Sequence, residues 1–205
     1  GSQGIWSASS TLPITLAGDF TNSGTFTENT GTVELDGTAS MSLNSGCTDF
    51  DACTTQNFYN LIINKTSGTD ANDNVTLLTN HLRLTNKLTI TDGELIQGTL
   101  NVRAEDTLVG GAVSIAAAGK WNNVSTGDLK LGGTFVNAGT AIFNSNNGAQ
   151  CTDEADDIAI TSTTGGTQRA WSGAGSFTLY DLSVTDMTDS SIPAYTSAYS
   201  NTTWS

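Results

Sequence analysis

Three cysteines are the residues of this sequence that are best suited to covalent chemistry. Cys47 and Cys53 enclose a short polar loop that a disulfide bond could close, as is common in exported proteins. Two reduced thiols are the alternative. A Cys/His zinc site is poorly supported, because the sequence lacks paired C-x-x-C units and holds one histidine, His81. Cys151 is either free or paired elsewhere, since a sequence does not fix connectivity.

Two acidic loops carry the oxygen ligands that Ca²⁺ prefers. The first loop begins like an EF-hand, but Val75 stands where that loop needs glycine and His81 where it needs the bidentate glutamate. We therefore favour solvated loops, with bound Ca²⁺ as the alternative, and expect the chain to fold without a metal or other cofactor. The candidate Ca²⁺ ligands are Asp70, Asn72, Asp73 and Asn74 in the first loop, and Asp153, Glu154, Asp156 and Asp157 in the second.

Aromatic and basic side chains are sparse and widely spread along the chain. Trp121 and Trp171 are the candidates for a sugar-stacking surface, although such rings lie in the core more often than on an exposed face. A Ser-His-Asp triad is limited to His81, and no serine lies in a G-x-S-x-G motif. We therefore assign no catalytic residues and predict that the chain is not an enzyme.

Composition excludes several classes of function. Seven Lys and Arg against 20 Asp and Glu give a net charge of −13, which leaves no basic surface for nucleic acid. No apolar run approaches the roughly 18 residues of a membrane span, so we expect no membrane insertion. Hydrophobic residues make up 37% of the chain, which is enough for a folded core. The excess of Thr, Ser and Asn over Lys is typical of exported proteins, and we predict an extracellular or cell-surface location.

Short alternations of apolar and polar residues fill most of the chain. From Leu77 onward the apolar positions recur about every six to eight residues, with Asn, Asp or Gly between them. Such runs, bounded by turn residues, predict β-strands. The helical pattern of apolar residues at i, i+3, i+4 and i+7 is sustained nowhere over ten residues, so we predict an all-β chain.

Two all-β architectures fit these strands. The favoured one is a parallel β-helix, or β-solenoid, with about three short strands and about 18 to 24 residues in each coil. The alternative is an antiparallel β-sandwich, whose strands are usually longer and whose loops vary in length. The tight, regular turns and the two prolines of the chain favour the solenoid.

Two blocks of sequence recur in the same order. Residues 16–25 match residues 131–140, and residues 58–61 match residues 179–182. Internal repetition of this kind is the signature of solenoids and arrays, in which each unit contacts its neighbours. The chain therefore contains one long repeat nearly twice.

The domain organisation follows from this repeat. We predict a single β-solenoid domain over residues 3–205, with one repeat over about 16–130 and a partial second over about 131–205. Gly1-Ser2 is typical of a cloning remnant, so the lack of a signal peptide says nothing about localisation. We expect the chain to be excised from a longer protein, with open ends that can associate end to end.

Three segments carry a family resemblance. Residues 18–26, 58–64 and 88–95 resemble the repeats of long bacterial cell-surface, adhesin-like proteins, which are built as right-handed parallel β-helices. The likeness covers most of residues 16–190. It implies an extended extracellular stalk or adhesive surface, and it carries no catalytic residues to transfer.

We therefore predict a non-enzymatic structural or adhesive segment of an exported surface protein. Its expected partners are a surface, a polysaccharide, or a receptor on a host or other cell. A carbohydrate-binding module is the alternative, which a row of exposed tryptophans would favour. A polysaccharide lyase or hydrolase ranks third, and a cleft that gathers carboxylates with Arg83 or Arg103 would favour it.

Overall fold

The computed structural model describes residues 5–66, 73–106, 111–145, 157–189 and 203–204; the expected cloning remnant at residues 1–2 lies outside them. All regular elements in these ranges are strands, which confirms the predicted all-β class. None of the described residues belongs to a helix long and apolar enough to cross a membrane.

In chain order the strands are β1 (Ile5–Ser7), β2 (Ile14–Leu16), β3 (Phe20–Thr21), β4 (Thr25–Thr27), β5 (Thr32–Leu35), β6 (Met41–Asn44), β7 (Phe58–Asn64), β8 (Asn74–Leu77), β9 (Leu82–Ile96), β10 (Val102–Ala104), β11 (Val113–Asn123), β12 (Leu129–Leu131), β13 (Phe135–Asn137), β14 (Thr140–Asn144), β15 (Ile158–Ser162), β16 (Arg169–Ser172), β17 (Ser176–Tyr180), β18 (Leu182–Thr185), β19 (Met187–Asp189) and β20 (Thr203–Trp204).

Strands β1 and β4 pair with each other in a separate two-stranded parallel sheet, and the other strands pair in three parallel ladders. The first ladder runs through β2, β5, β7, β9, β11, β13, β16 and β19. The second runs through β3, β6, β8, β9, β11, β14 and β17. The third runs through β9, β10, β12, β15, β18 and β20. Every pairing between these strands is parallel, whereas the β-sandwich alternative would require antiparallel pairs.

Long strands join the ladders into one sheet that closes on itself. Strand β9 contributes to all three ladders and bends between them. One bend lies at Gly93, whose φ is +84° and whose backbone passes close to earlier parts of the chain. A Cβ at this position would lie 2.6 Å from both the Asp73 carbonyl oxygen and the Lys65 Cβ, so the corner requires glycine.

The core lies inside the three ladders, because alternate side chains of each strand point inward. Partner residues stack above one another, as parallel register requires, and the stacked inward positions are buried. In the first ladder these positions are Val33, Leu61, Leu88, Val113, Phe135 and Trp171; in the second they are Met41, Val75, Leu95, Trp121, Ala141 and Phe177; in the third they are Leu82, Val102, Leu129, Ile160 and Val184.

The spacing along the chain is less regular than the sequence predicted. In the first ladder, Trp171 and its partner Asp189 are 18 residues apart, whereas Phe135 and its partner Trp171 are 36 apart. The predicted range of 18 to 24 residues is therefore too narrow, because the connections between ladders differ in length.

The matching blocks of sequence occupy different corners of the sheet. Residues 16–20 lead from the first ladder to the second, whereas residues 131–135 lead from the third to the first. Residues 58–61 lead from the third ladder to the first, whereas 179–182 lead from the second to the third. The blocks thus share a strand–corner–strand conformation and not a ladder position.

Candidate functional site

A disulfide closes the loop between Cys47 and Cys53. Their Cα atoms lie 5.8 Å apart, within the range that a disulfide spans, and both residues are buried. The Cys47 carbonyl accepts a hydrogen bond of 2.9 Å from the His81 backbone N–H, just before β9. The predicted pairing is therefore present, and it anchors the loop at the start of the third ladder.

The loop has a conformation of its own that directs Asp51 toward the sheet. The Asp49 carboxylate accepts hydrogen bonds from the backbone N–H groups of Asp51, at 3.0 Å, and Ala52, at 3.2 Å. This is the local turn that aspartate side chains commonly form. It closes the loop on itself, so the Asp51 carboxylate is free to meet cations of the third ladder.

Three basic residues are stacked on the outward face of the third ladder. Arg83 pairs with Arg103, and Arg103 pairs with Lys130, so the three side chains lie on adjacent strands. Arg103 Nη1 lies 2.6 Å from Asp51 Oδ1, and Lys130 Nζ lies 2.6 Å from Asp51 Oδ2. Arg83 Nη1 donates to the carbonyls of Asp51 and Cys53, each at 2.9 Å. The disulfide loop therefore crosses three successive strands and is bonded to each.

The basic residues of this cluster are paired with acidic residues, so that opposite charges largely offset one another. Glu105 pairs with Arg83 at 3.3 Å and with Arg103 at 2.5 Å, so three cations meet two carboxylates. Burial alone would raise the pKa of Asp51, but hydrogen bonds from Lys130 and Arg103 lower it. Burial alone would lower the pKa of Arg103, but Glu105 and Asp51 raise it. The charged forms of Asp51 and Arg103 are thus stabilised in the folded chain, which helps to hold the loop on the sheet.

Aromatic contacts complete the loop's docking. Lys130 Nζ lies 4.9 Å from the centroid of the Phe50 ring, within the range of a cation–π interaction. The Phe50 ring in turn lies 5.6 Å from the His81 ring. The loop thus contacts the sheet through a covalent bond, ion pairs and a ring.

A series of hydrogen bonds from side chains to backbone N–H groups connects successive strands of the third ladder near the residues at which these strands start. His81 Nδ1 accepts a hydrogen bond from the Asn101 N–H, Asn101 Oδ1 accepts one from the Asp128 N–H, and Asp128 Oδ1 accepts one from the Ala159 N–H, each at 2.9 Å. Burial raises the pKa of Asp128, against the Ala159 N–H, Lys130 and His81, which lower it. The sequence analysis did not predict these hydrogen bonds, because the partners in each bond are about 20 to 31 residues apart in the chain. They become visible only once the register of the ladder is known.

The candidate calcium ligands fall largely outside the described residues. This applies to Asp70 and Asn72 in the first loop, and to Asp153, Glu154 and Asp156 in the second; Cys151 also lies outside. Of the others, Asp73 is buried, and its carbonyl accepts a hydrogen bond from the Glu94 N–H at 2.8 Å, while Asn74 pairs with Glu94 in the second ladder. Asp157 precedes β15. Among the described residues no three His, Cys, Asp or Glu side chains converge as metal ligands. The preference for solvated loops stays a prediction, with bound Ca²⁺ as its alternative.

Trp121 and Trp171 lie in the core. Both are 0% exposed, so neither ring is available to stack on a sugar from solvent. Trp121 Nε1 donates to the buried Gln97 side chain at 3.0 Å, and the Trp171 ring stacks on Phe135 with centroids 4.9 Å apart. This corrects the expectation of a sugar-stacking surface at these two residues: the inward register of β11 and β16 places both rings inside the sheet.

Comparisons with protein-family models, with curated proteins and with solved structures find no match for this chain. The adhesin-like resemblance of residues 18–26, 58–64 and 88–95 stays a prediction. The most developed constellation on the described surface is the disulfide loop with its ion pairs, and its geometry joins strands together.

Proposed function

We propose that the chain is a non-enzymatic structural or adhesive segment of an exported cell-surface protein, folded as a β-solenoid. The observation that supports this proposal most is the continuity of the three parallel ladders. Buried apolar residues stack on one another at the inward positions, from Val33 to Trp171 in the first ladder. In such an architecture each coil contacts its neighbours, so the chain transmits load from coil to coil through backbone hydrogen bonds.

The disulfide loop fits a mechanical role. Asp51 connects Arg103 and Lys130, which belong to adjacent strands, while Cys53 is bonded covalently to Cys47 and through its carbonyl to Arg83. A separation of these strands would have to break several charged contacts together. We interpret the loop as a clamp that ties successive coils on one face.

An extracellular location and a surface partner belong to the same proposal. A disulfide persists in oxidising compartments, and the net charge of −13 keeps an extended surface soluble. Partners would be a polysaccharide or a receptor on another cell, contacted by outward loops. End-to-end association of such segments stays a prediction.

The enzyme alternative has less support. Carboxylates do gather beside Arg83 and Arg103, the feature that would favour a polysaccharide-active enzyme. Asp51 and Glu105, however, direct their oxygens at Arg103 and other cations of the same cluster. Asp51 held in this way is a poor general acid or base, because the hydrogen bonds from Lys130 and Arg103 lower its pKa and stabilise its charged form.

Single-molecule force spectroscopy tests the proposed scaffold. The chain is pulled between tags fused before β2 and after β19, under oxidising conditions. A solenoid should lengthen in steps that each release one coil, which corresponds to the 18 to 36 residues between partners of the first ladder. Release of the whole length in one event, at forces typical of a globular domain, would contradict the proposal.

A variant that lacks the disulfide tests whether the loop holds the strands together. In the double variant Cys47→Ser and Cys53→Ser, the steps that include β6, β7, the start of β9, β10 and β12 should occur at lower force, because the loop joins or contacts these strands. Steps that arise from β14 to β18 should be unchanged, since the clamp does not contact those strands.

A further inference from the structure

Trp6 lies partly in solvent, at a cleft beside β1. It is 40% exposed, whereas Trp121 and Trp171 are buried. The cleft has a volume of about 310 Å³, near the lower end of small-molecule sites, and is lined by Ile5, Trp6 and residues 20–26. The sequence does not distinguish Trp6 from the buried tryptophans, because the exposure of a ring depends on which strands pack around it.

Two buried rings hold the Trp6 indole in place. Trp6 pairs with Phe26 across strands β1 and β4. The centroid of its ring lies 5.3 Å from that of Phe26 and 5.8 Å from that of Phe20, and both phenylalanines are buried. These contacts restrict the indole, while part of its surface remains in contact with solvent. A ligand from solvent can therefore reach this part of the ring without a rearrangement of the fold.

Hydroxyl groups lie beside the indole, on a short segment that is held in place. Thr21 and Ser23 line the cleft and are exposed. Between them, Asn22 Nδ2 donates to the Ser45 carbonyl, and Asn22 Oδ1 accepts from the Gly24 N–H, each at 3.0 Å. The hydroxyl groups of Thr21 and Ser23 can each donate and accept a hydrogen bond, and little ordering of the segment is needed on binding.

The charge of the cleft limits the class of ligand. No charged side chain belongs to its described lining. An anionic ligand would be repelled by the net charge of −13, and a cationic ligand would find no carboxylate in the lining to pair with. The cleft therefore suits a neutral ligand that has both an apolar face and hydroxyl groups.

We propose that this cleft binds one residue of a neutral glycan, whose C–H face packs on the Trp6 indole and whose hydroxyl groups bond to Thr21 and Ser23. The face of an indole is negative, so it attracts the weakly positive C–H groups of a sugar ring. An apolar peptide would cover the same hydroxyl groups without giving them partners, which is unfavourable. This site goes beyond the proposed scaffold role, which requires no ligand, and it gives the scaffold a means of contacting a glycan.

A second copy of the chain fits the cleft less well. Association through β1 would bring together two molecules that each carry a net charge of −13. Strand β1 is three residues long, which supplies only a small part of the about 1,200 Å² that a stable protein interface buries.

Nuclear magnetic resonance titration of the ¹⁵N-labelled chain tests the proposal. The probes are cellotetraose, chitotetraose, mannotetraose and xylotetraose at millimolar concentration, and a concentration series of the chain without sugar is a separate arm. With at least one tetrasaccharide, the Trp6 indole N–H and the Ser23 backbone N–H should shift and saturate. Trp6→Ala should weaken that binding about tenfold or more, through loss of the ring contact. Ser23→Ala should weaken it about three- to tenfold, the effect of one lost hydrogen bond.

Val136→Ala is the matched control. Val136 is 37% exposed, close to the value for Trp6, but lies on β13 and not in the cleft, so its loss should leave the affinity unchanged. Trp6→Phe keeps a ring and should retain part of the affinity. Melting curves establish that each variant is folded, and Ser23→Ala remains informative if Trp6→Ala unfolds. The proposal is overturned if no tetrasaccharide shifts the cleft signals, if Trp6→Ala or Ser23→Ala binds as tightly as the parent, or if the same signals shift with chain concentration alone.

Discussion

The two ends of the described chain close their interiors in different ways. In residues 111–189 the interior is filled by aromatic rings that are all buried, and neighbouring centroids lie about 5 to 6 Å apart, as between Trp171 and Phe177 at 5.5 Å. In residues 5–66 aromatic rings also cluster, but Trp6 is 40% exposed and packs on Phe20 at 5.8 Å. The same residue types thus fill a closed core in one region and an open one in the other.

Residues 5–66, which we call the open region, also contain a disulfide and buried polar contacts. Residues 5–66 contain the disulfide loop, and they bury the side chain of Lys65, whose Nζ donates to the Asp36 carbonyl at 2.9 Å. In residues 111–189 the stacked aromatic rings take over this role within the described residues. We infer that the region with less apolar filling depends more on covalent and charged contacts, and four variants test this difference between the two regions.

The largest effect is expected from the aromatic core. Trp171→Ala removes the ring that stacks on Phe135 and Phe177, and should lower the free energy of unfolding by about 3 to 5 kcal/mol, since it leaves a cavity that the surrounding strands cannot fill. Urea denaturation followed by tryptophan fluorescence and circular dichroism measures this. Trp6→Ala is the control, and its loss should be smaller, about 2 kcal/mol, because the ring is 40% exposed and has less buried surface to lose. Equal losses would remove the distinction between the two regions.

The second effect concerns the covalent fastening. The double variant Cys47→Ala and Cys53→Ala frees a short loop and should lower the free energy of unfolding by about 2 kcal/mol, mostly through the greater freedom of the unfolded chain. Denaturation of the oxidised parent, the reduced parent and the variant measures it. The reduced parent should match the variant. A variant as stable as the oxidised parent would mean that the ion pairs of Asp51 hold the loop without the disulfide.

The sequence was sufficient to predict the strands, because their signal is local. Alternation at Leu82, Leu84, Leu88 and Ile90 is visible in the printed sequence, and each of these residues is buried in β9. The disulfide was predictable for the same reason, since Cys47 and Cys53 are close together in the chain.

Register was not predictable, and most of the site depends on it. Arg83, Arg103 and Lys130 become neighbours only because three strands pair in one particular alignment, and loops of variable length hide that alignment from a periodicity count. The burial of Trp121 and Trp171 has the same origin. An exposed and a buried tryptophan look alike in a sequence, and only the inward or outward parity of the strand separates them.

The third prediction concerns the buried cation of the open region. Burial lowers the pKa of Lys65, against Asp36 and Asp73, which raise it. Because the folded-state pKa lies below the unfolded value, the folded chain loses this proton first, and stability rises with pH through that window. Lys65→Met should therefore stabilise the chain by about 1 kcal/mol at neutral pH, and this advantage should shrink as pH approaches about 10.

Denaturation in urea at several pH values between neutral and alkaline measures the effect of Lys65→Met. Lys120→Met is the control, because Lys120 lies on the outward face and pairs with Glu94 at 2.9 Å. Its effect on stability at neutral pH should be small, because this surface ion pair is partly in solvent. If Lys65→Met destabilises the chain at every pH, the buried amine contributes more through its hydrogen bond than it costs through burial.

The smallest effect is expected from Asp51, whose side chain is 45% exposed and therefore partly screened by solvent. The folded-state pKa of Asp51 is lowered, so its contribution is complete above the ordinary aspartate value near 4 and is lost as pH falls through the folded value. Asp51→Asn should lower the free energy of unfolding by less than about 1 kcal/mol at neutral pH, and should have no effect in strong acid, where the parent carboxylate is also protonated.

Asp19→Asn is the control, since Asp19 accepts a hydrogen bond from the Ser42 N–H and contacts no cation of the cluster. A double-mutant cycle with Lys130→Met isolates the ion pair, and its coupling energy should decrease as salt is added. A coupling that is absent at neutral pH would mean that the Asp51–Lys130 pair does not help to hold the loop, and that the disulfide and the contacts of Arg83 and Arg103 hold it instead.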